Sequence, residues 1–120
     1  MLREKLVSVF LLGFFWGGGF WATSVLAAEK ASSLYKDLCT SCHGDSGKGN
    51  GPAAAALTPK PKNFTDCKGM ATDPDETLFK IIKGGSQSVG RSPMMPSWGE
   101  ALSDQDIRNL VAYIRGLCKK

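Results

Sequence analysis

At 120 residues the chain has room for one small domain and no more. Its net charge of +4 is modest and its aromatic residues are not interleaved with the basic ones, which argues against a nucleic-acid surface. No phosphate-binding glycine loop and no pair of carboxylates beside a nucleophile is present, so hydrolytic and phosphoryl-transfer chemistry has no machinery here.

The first stretch is not part of the domain. Arg3 and Lys5 form a short basic region, Leu6 to Trp21 is an uncharged apolar run, and small residues follow in Ser24-Val25-Leu26-Ala27-Ala28. Val25 and Ala27 fit the places before a signal-peptidase cut, so residues 1–27 read as a signal peptide and 28–120 as the exported domain. The alternative is an uncleaved membrane anchor: Leu6 to Ala28 is 23 residues, long enough to span a bilayer, although Gly17-Gly18-Gly19 weakens such a helix. Cleavage leaves 93 residues with 13 Lys plus Arg against 10 Asp plus Glu, a net +3. A chain that short cannot bury a large apolar core of its own.

Ser32 or Ser33 can cap a short helix whose inward face is Leu34, Tyr35 and Leu38 and whose end delivers Cys39. Next comes Cys39-Thr40-Ser41-Cys42-His43, a C-x-x-C-H pentad. Two thiols at that spacing can add across the two vinyl groups of a haem, and the adjacent imidazole then lies under the iron. His43 is the only histidine, so ligation by two histidines is excluded within this chain. A redox dithiol would call for a strand and helix around the pair, and a zinc site for a fourth ligand, with Cys67 the only nearby thiol to help supply it. A buried haem would provide much of the missing core, and the apoprotein is expected to fold poorly.

Gly44 to Pro61, with four glycines and three prolines, predicts a loop with at most one helical turn around Ala53–Leu57. Lys48, Lys60, Lys62 and Lys68, with Asp66 the only acid among them, form a candidate steering cluster for an acidic redox partner. Asp73-Pro74-Asp75-Glu76 predicts a helix start with Asp73 as N-cap and Pro74 in the first position. Leu78, Phe79, Ile81 and Ile82 give that helix a buried side toward the haem, and Gly84-Gly85 stops it.

From Gly84 to Gly99 there is no convincing periodicity, and Pro93-Met94-Met95-Pro96 sits in the middle. A thioether is a soft neutral ligand that favours ferrous iron, and flanking prolines stiffen a loop that must present it. Trp98 is expected to pack on the haem or on this loop. Leu102 to Cys118 is the clearest helix: Ser103 caps it, Leu102 can staple against Ile107, and Ile107, Leu110, Val111, Ile114 and Leu117 make one apolar stripe. Cys67 and Cys118 remain, an even remainder that points to a disulfide in an exported chain.

The pentad, the Met95-Pro96 pair and the closing run from Leu102 to Arg115 resemble a monohaem class I c-type cytochrome, over roughly residues 29–118. The resemblance implies an all-α fold, a small cytochrome c fold of three to four helices around one covalently attached haem c. Cys39 and Cys42 would carry the thioether bonds, with His43 and Met95 as axial ligands. Met95 takes the family's Met-Pro place; Met94 is the runner-up and Met70 a poorer third. Ala31 and Tyr35 match the small and aromatic places that pack against the last helix, with Ala31 standing where glycine is usual. In the family a proline carbonyl holds the histidine ring, which makes Pro59 or Pro61 the expected acceptor from His43 Nδ1. The implied protein is a periplasmic electron carrier, not an enzyme: a monomer passing single electrons between redox partner proteins, with a membrane tie only if the N-terminal segment is uncleaved. The rivals are a haem-bearing subunit of a membrane oxidoreductase complex and a haem sensor or catalyst with a gated sixth site.

Overall fold

The computed structural model describes residues 21–118, so the first twenty residues of the expected signal segment lie outside the described residues. Five α-helices follow one another: α1 Trp21–Leu38, α2 Thr40–His43, α3 Cys67–Ala71, α4 Asp75–Gly84 and α5 Asp104–Leu117. Two 3₁₀ turns, Ala54–Ala56 and Ser86–Val89, stand between them, and there is no strand among the described residues. The all-α expectation holds. Its three to four helices match the long ones, to which the short α2 and α3, of four and five residues, are added.

The first helix differs from its predicted form. Neither Ser32 nor Ser33 caps it, because α1 runs unbroken through both from Trp21. Ala22, Ala27, Ala28 and Ala31 carry high helix propensity, and a serine facing solvent is tolerated within a helix. Burial begins at Ala31; before it, Val25 and Leu26 are exposed. No helix among the described residues is long and apolar enough to cross a membrane.

α5 lies across the buried end of α1, where Ala31 and Tyr35 meet the predicted stripe of Ile107, Leu110, Val111 and Ile114. Each fully buried aliphatic side chain contributes about 1.5–3 kcal/mol relative to exposure. Tyr35 adds a directional constraint: its Oη donates to Gly44 O at 2.8 Å, and its ring packs 5.1 Å from that of Tyr113. The helix crossing thereby also holds the first residue after the pentad. Ser103 caps α5 as predicted, its Oγ accepting from the Asp106 N–H at 3.1 Å, and Leu102 packs on the core that includes Ile107.

At the start of α4 the prediction is one residue out. Pro74, with ψ 157°, is the N-cap, and its carbonyl accepts from Thr77 and Leu78. Asp73 does not cap, because its carboxylate is taken by Lys62 and Arg91 instead. The remaining thiols pair as expected: Cys67 at the start of α3 is joined to Cys118 after α5, with Cα atoms 5.1 Å apart.

Candidate haem site

Cys39 closes the last turn of α1, its N–H donating to Tyr35 O at 2.9 Å, and in turn accepts from the N–H of His43 at 2.9 Å. One helical turn therefore carries both thiols and the imidazole, with no freedom between them but side-chain torsions. Cys39 and Cys42 are free and half-buried. Burial, and then the neighbouring Cys42, push the Cys39 thiol up to about 11.

His43 is buried. Burial lowers its pKa, with the Lys62 carbonyl opposing, so the ring is neutral near pH 7 and Nε2 keeps a lone pair. Nδ1–H donates to Lys62 O at 3.1 Å. This corrects the expected acceptor: neither Pro59 nor Pro61 but the residue after Pro61 presents its carbonyl. The ring of Phe64 stacks on the imidazole at 4.4 Å between centroids and 17° between planes. Position and plane of the ring are thus both set by residues 62–64.

The Gly44–Pro61 loop folds back onto α2 with the single turn foreseen for it. Two glycines make that approach possible. Gly49 has φ +74°, donates to His43 O at 2.8 Å, and a Cβ there would run into the Pro61 carbonyl; one at Gly51 would strike the carbonyls of Thr40 and Ser41.

An open cleft of about 210 Å³ touches Cys42 and His43, and the same cleft is lined by Met95, Leu78, Ile81 and Ile82. A smaller cavity shares His43, Phe64, Ile82, Met95 and Ile114 with it and adds Cys39 and Trp98. The fold therefore brings Cys39, Cys42, His43 and Met95 onto two adjoining linings that share His43 and Met95. Met95 reaches both spaces; Met94 lines only the cleft and is 50% exposed, and Met70 is in the hydrophobic core, lining neither. Phe79 departs from its predicted place, lying in the core beneath the Arg108 guanidinium, 4.4 Å from its centroid.

The methionine segment has more support than its prolines. Met95 O accepts from Ser86 N–H at 3.2 Å, Ser86 O accepts from Arg91 N–H at 3.0 Å, and beyond the loop Trp98 and Gly99 donate to the last carbonyls of α4, Ile82 and Lys83, at 2.9 Å each. The end of α4 so serves as a splint.

Sequence reasoning missed an ionic hub beside the cleft. Asp73 is 3% exposed and accepts from Lys62 Nζ at 2.6 Å and from both terminal nitrogens of Arg91 at 2.6 and 3.1 Å. The Arg91 hydrogen bond first, and Lys62 with it, hold the Asp73 carboxyl well below the usual carboxylate range against the opposing effect of burial. Lys60 Nζ is likewise engaged, donating to the carbonyls of Ala54 and Ala55. Two of the four lysines in the predicted steering cluster thus have partners within the chain. Nothing in the local pattern marks these pairings; only the helix-start signal at Asp73 hinted that its side chain had a partner.

Two half-buried thiols one turn apart, a neutral imidazole with a fixed ring and a thioether on one apolar lining are the donor set of a c-type haem, and they fit that group. Cys67, being in a disulfide, is not free to complete a zinc site with the pentad. The fold and the site define a c-type cytochrome domain. A family model described as cytochrome c oxidase, cbb3-type, subunit III matches residues 26–114, and the chain belongs to that family. The family implies a covalent haem c, and Cys39 and Cys42 supply the C-x-x-C-H pair such a group uses.

Among relatives, the FixP subunit of the cbb3-type cytochrome c oxidase of Azorhizobium caulinodans is 32% identical over 91 residues, 76% of this chain and 27% of that protein. Cytochrome c-554(548) of Halomonas halodenitrificans is 28% identical over 75 residues, 62% of this chain and 78% of that one. This chain spans about a quarter of the length of the oxidase subunits it matches. In structure it is similar to the c-type cytochrome KustC0563, with a TM-score of 0.61 at 27% identity over 74% of this chain and 98% of the other.

Proposed function

We propose that the chain is an exported, periplasmic carrier of single electrons, with His43 and Met95 as the axial ligands of its haem and larger redox proteins as donor and acceptor. The observation that carries this reading is that Met95 and His43 line the same two adjoining cavities. The bound haem supplies an iron that alternates between ferric and ferrous states.

The chain's residues do the rest. Cys39 and Cys42 anchor the group, Lys62 O and Phe64 keep the His43 ring from turning, and the Ser86 bond to Met95 O keeps the thioether in place. His43 and Met95 are both neutral donors that would hold the group in either oxidation state, so that little rearrangement would accompany transfer and no place would be left for a substrate. Leu78, Ile81, Ile82 and Ile114 would give the group an apolar surface to pack on.

The test is the visible spectrum of the matured, reduced protein before and after carbon monoxide. A low-spin c-type spectrum unchanged by carbon monoxide is the expected result. Ready binding would overturn the Met95 assignment and favour a sensor or catalyst with a gated site.

A second reading, a haem-bearing subunit of a membrane oxidase complex, is favoured by the matched family and by its FixP and CcoP relatives. Purification in mild detergent from native membranes separates the two: a carrier elutes alone, a subunit elutes with larger chains.

A further inference from the structure

Asp73 lines neither cavity, yet the two side chains that bind it belong to the segment that accepts from the His43 ring and to the loop that carries Met95. Lys62 uses both of its polar groups: the backbone carbonyl accepts from His43 Nδ1, and Nζ donates to Asp73 Oδ2 at 2.6 Å. Arg91 forks onto both carboxylate oxygens of Asp73 while its own N–H donates to Ser86 O, and Ser86 N–H donates to Met95 O. A single carboxylate is therefore linked to the imidazole through one residue, Lys62, and to the methionine backbone through two, Arg91 and Ser86.

The carboxylate is itself held. Arg115 of α5 donates to the backbone carbonyl of Asp73, to Met70 O at 2.6 Å and to Asp75 Oδ1 at 2.7 Å. The Cys67–Cys118 bond ties the same two regions together on either side of these contacts. Asp73 is thus a fixed post rather than a floating partner. Buried ion pairs are weak stabilisers, since desolvation offsets much of their attraction, but a bidentate arginine fork confers geometry as well as energy.

We infer that Asp73 is a positioning residue for both axial ligands, linking the Lys62 segment under His43 to the Arg91 segment that carries Met95. The inference rests on the His43 and Met95 reading. It predicts that loosening Asp73 opens the sixth site to competitors and tilts the His43 ring.

The test uses the matured haem protein in its ferric form and the variants Asp73→Asn, Arg91→Met and Lys62→Met, with Lys30→Met as control. Lys30 pairs with Asp106 at 2.7 Å, away from the cavity lining. Imidazole is titrated in while the weak near-infrared band of a thioether bound to ferric iron is followed, and the paramagnetically shifted His43 ring resonances are recorded by NMR. Loss of the charge-assisted Arg91–Asp73 fork is expected to raise imidazole affinity about tenfold in Asp73→Asn and Arg91→Met. Asp73→Asn and Lys62→Met should both move the His43 resonances, and Lys30→Met should leave everything as in the wild type.

Wild-type imidazole affinity and wild-type ring shifts in all three variants, with only a lower unfolding midpoint, would overturn the inference. Should Asp73→Asn fail to mature, Arg91→Met decides the methionine arm, because that side chain is 47% exposed and its truncation leaves no large void. A wild-type protein without the thioether band would overturn the methionine reading instead. The positioning role would then stand or fall on the His43 resonances alone.

Discussion

The two walls of the candidate haem site are built by different means. On the histidine side, one turn of helix places Cys39, Cys42 and His43 together, and the surroundings are buried: Tyr35, Phe64 and the glycines of the following loop all press on that turn. On the methionine side, Met95 lies in a loop between a half-exposed Met94 and an exposed Pro96, and it is held by bonds to distant elements. Local geometry makes the first wall; tertiary contacts make the second. Disruption of the first should abolish the holoprotein, whereas disruption of the second should leave a haem protein with altered ligation.

The largest effect is expected from removing the thiols. In a Cys39→Ser, Cys42→Ser double variant, haem should no longer stay with the denatured chain, which extraction into acidified organic solvent reads directly; haem retained on the polypeptide would break the histidine-side account. Met95→Ala should come next: haem stays attached, but the ferrous protein now binds carbon monoxide, while Met94→Ala does not. If Met94→Ala alone opened the site, the two methionines would exchange roles.

A smaller effect is expected from acid, through the hub that joins the walls. Asp73 titrates in the fold below its unfolded value of ~3.9, and it faces the Lys62 side chain and the Arg91 guanidinium, with Arg115 on its backbone carbonyl. Its contribution to stability is therefore complete above about pH 5 and is lost as the pH falls through the ordinary carboxylate range toward the depressed value, on the order of 2 kcal/mol in all. Denaturant midpoints between pH 6 and 3 should fall less in Asp73→Asn than in the wild type. Smallest of all, Tyr35→Phe removes the hydrogen bond to Gly44 O and should cost about 1 kcal/mol without changing the response to carbon monoxide.

The same division decides what could be read from the chain. The pentad, the stripe of α5 and the Ser103 cap are local patterns of spacing, and the structure agrees with all three. Cys67 and Cys118 were paired by counting, which works because two thiols leave one pairing. Asp73 misled because the residue types of a helix start are also those of a buried ion pair, and which it becomes depends on Lys62 and Arg91, 11 and 18 residues away. The acceptor for His43 was misplaced by one residue past Pro61, since a loop carbonyl carries no side-chain signal at all. Phe64, an aromatic in a polar stretch, was visible but had no period to give it a face.

The bond between Cys67 and Cys118 closes a ring of chain, 51 residues apart in sequence, and the ring contains Met95 but not His43. This gives the two walls different fates under a protease. One cut inside the ring, anywhere in the methionine loop, leaves a single covalent molecule that runs undivided on a non-reducing gel. One cut between His43 and Cys67 instead yields two pieces, and only the piece ending in the pentad region stays coloured.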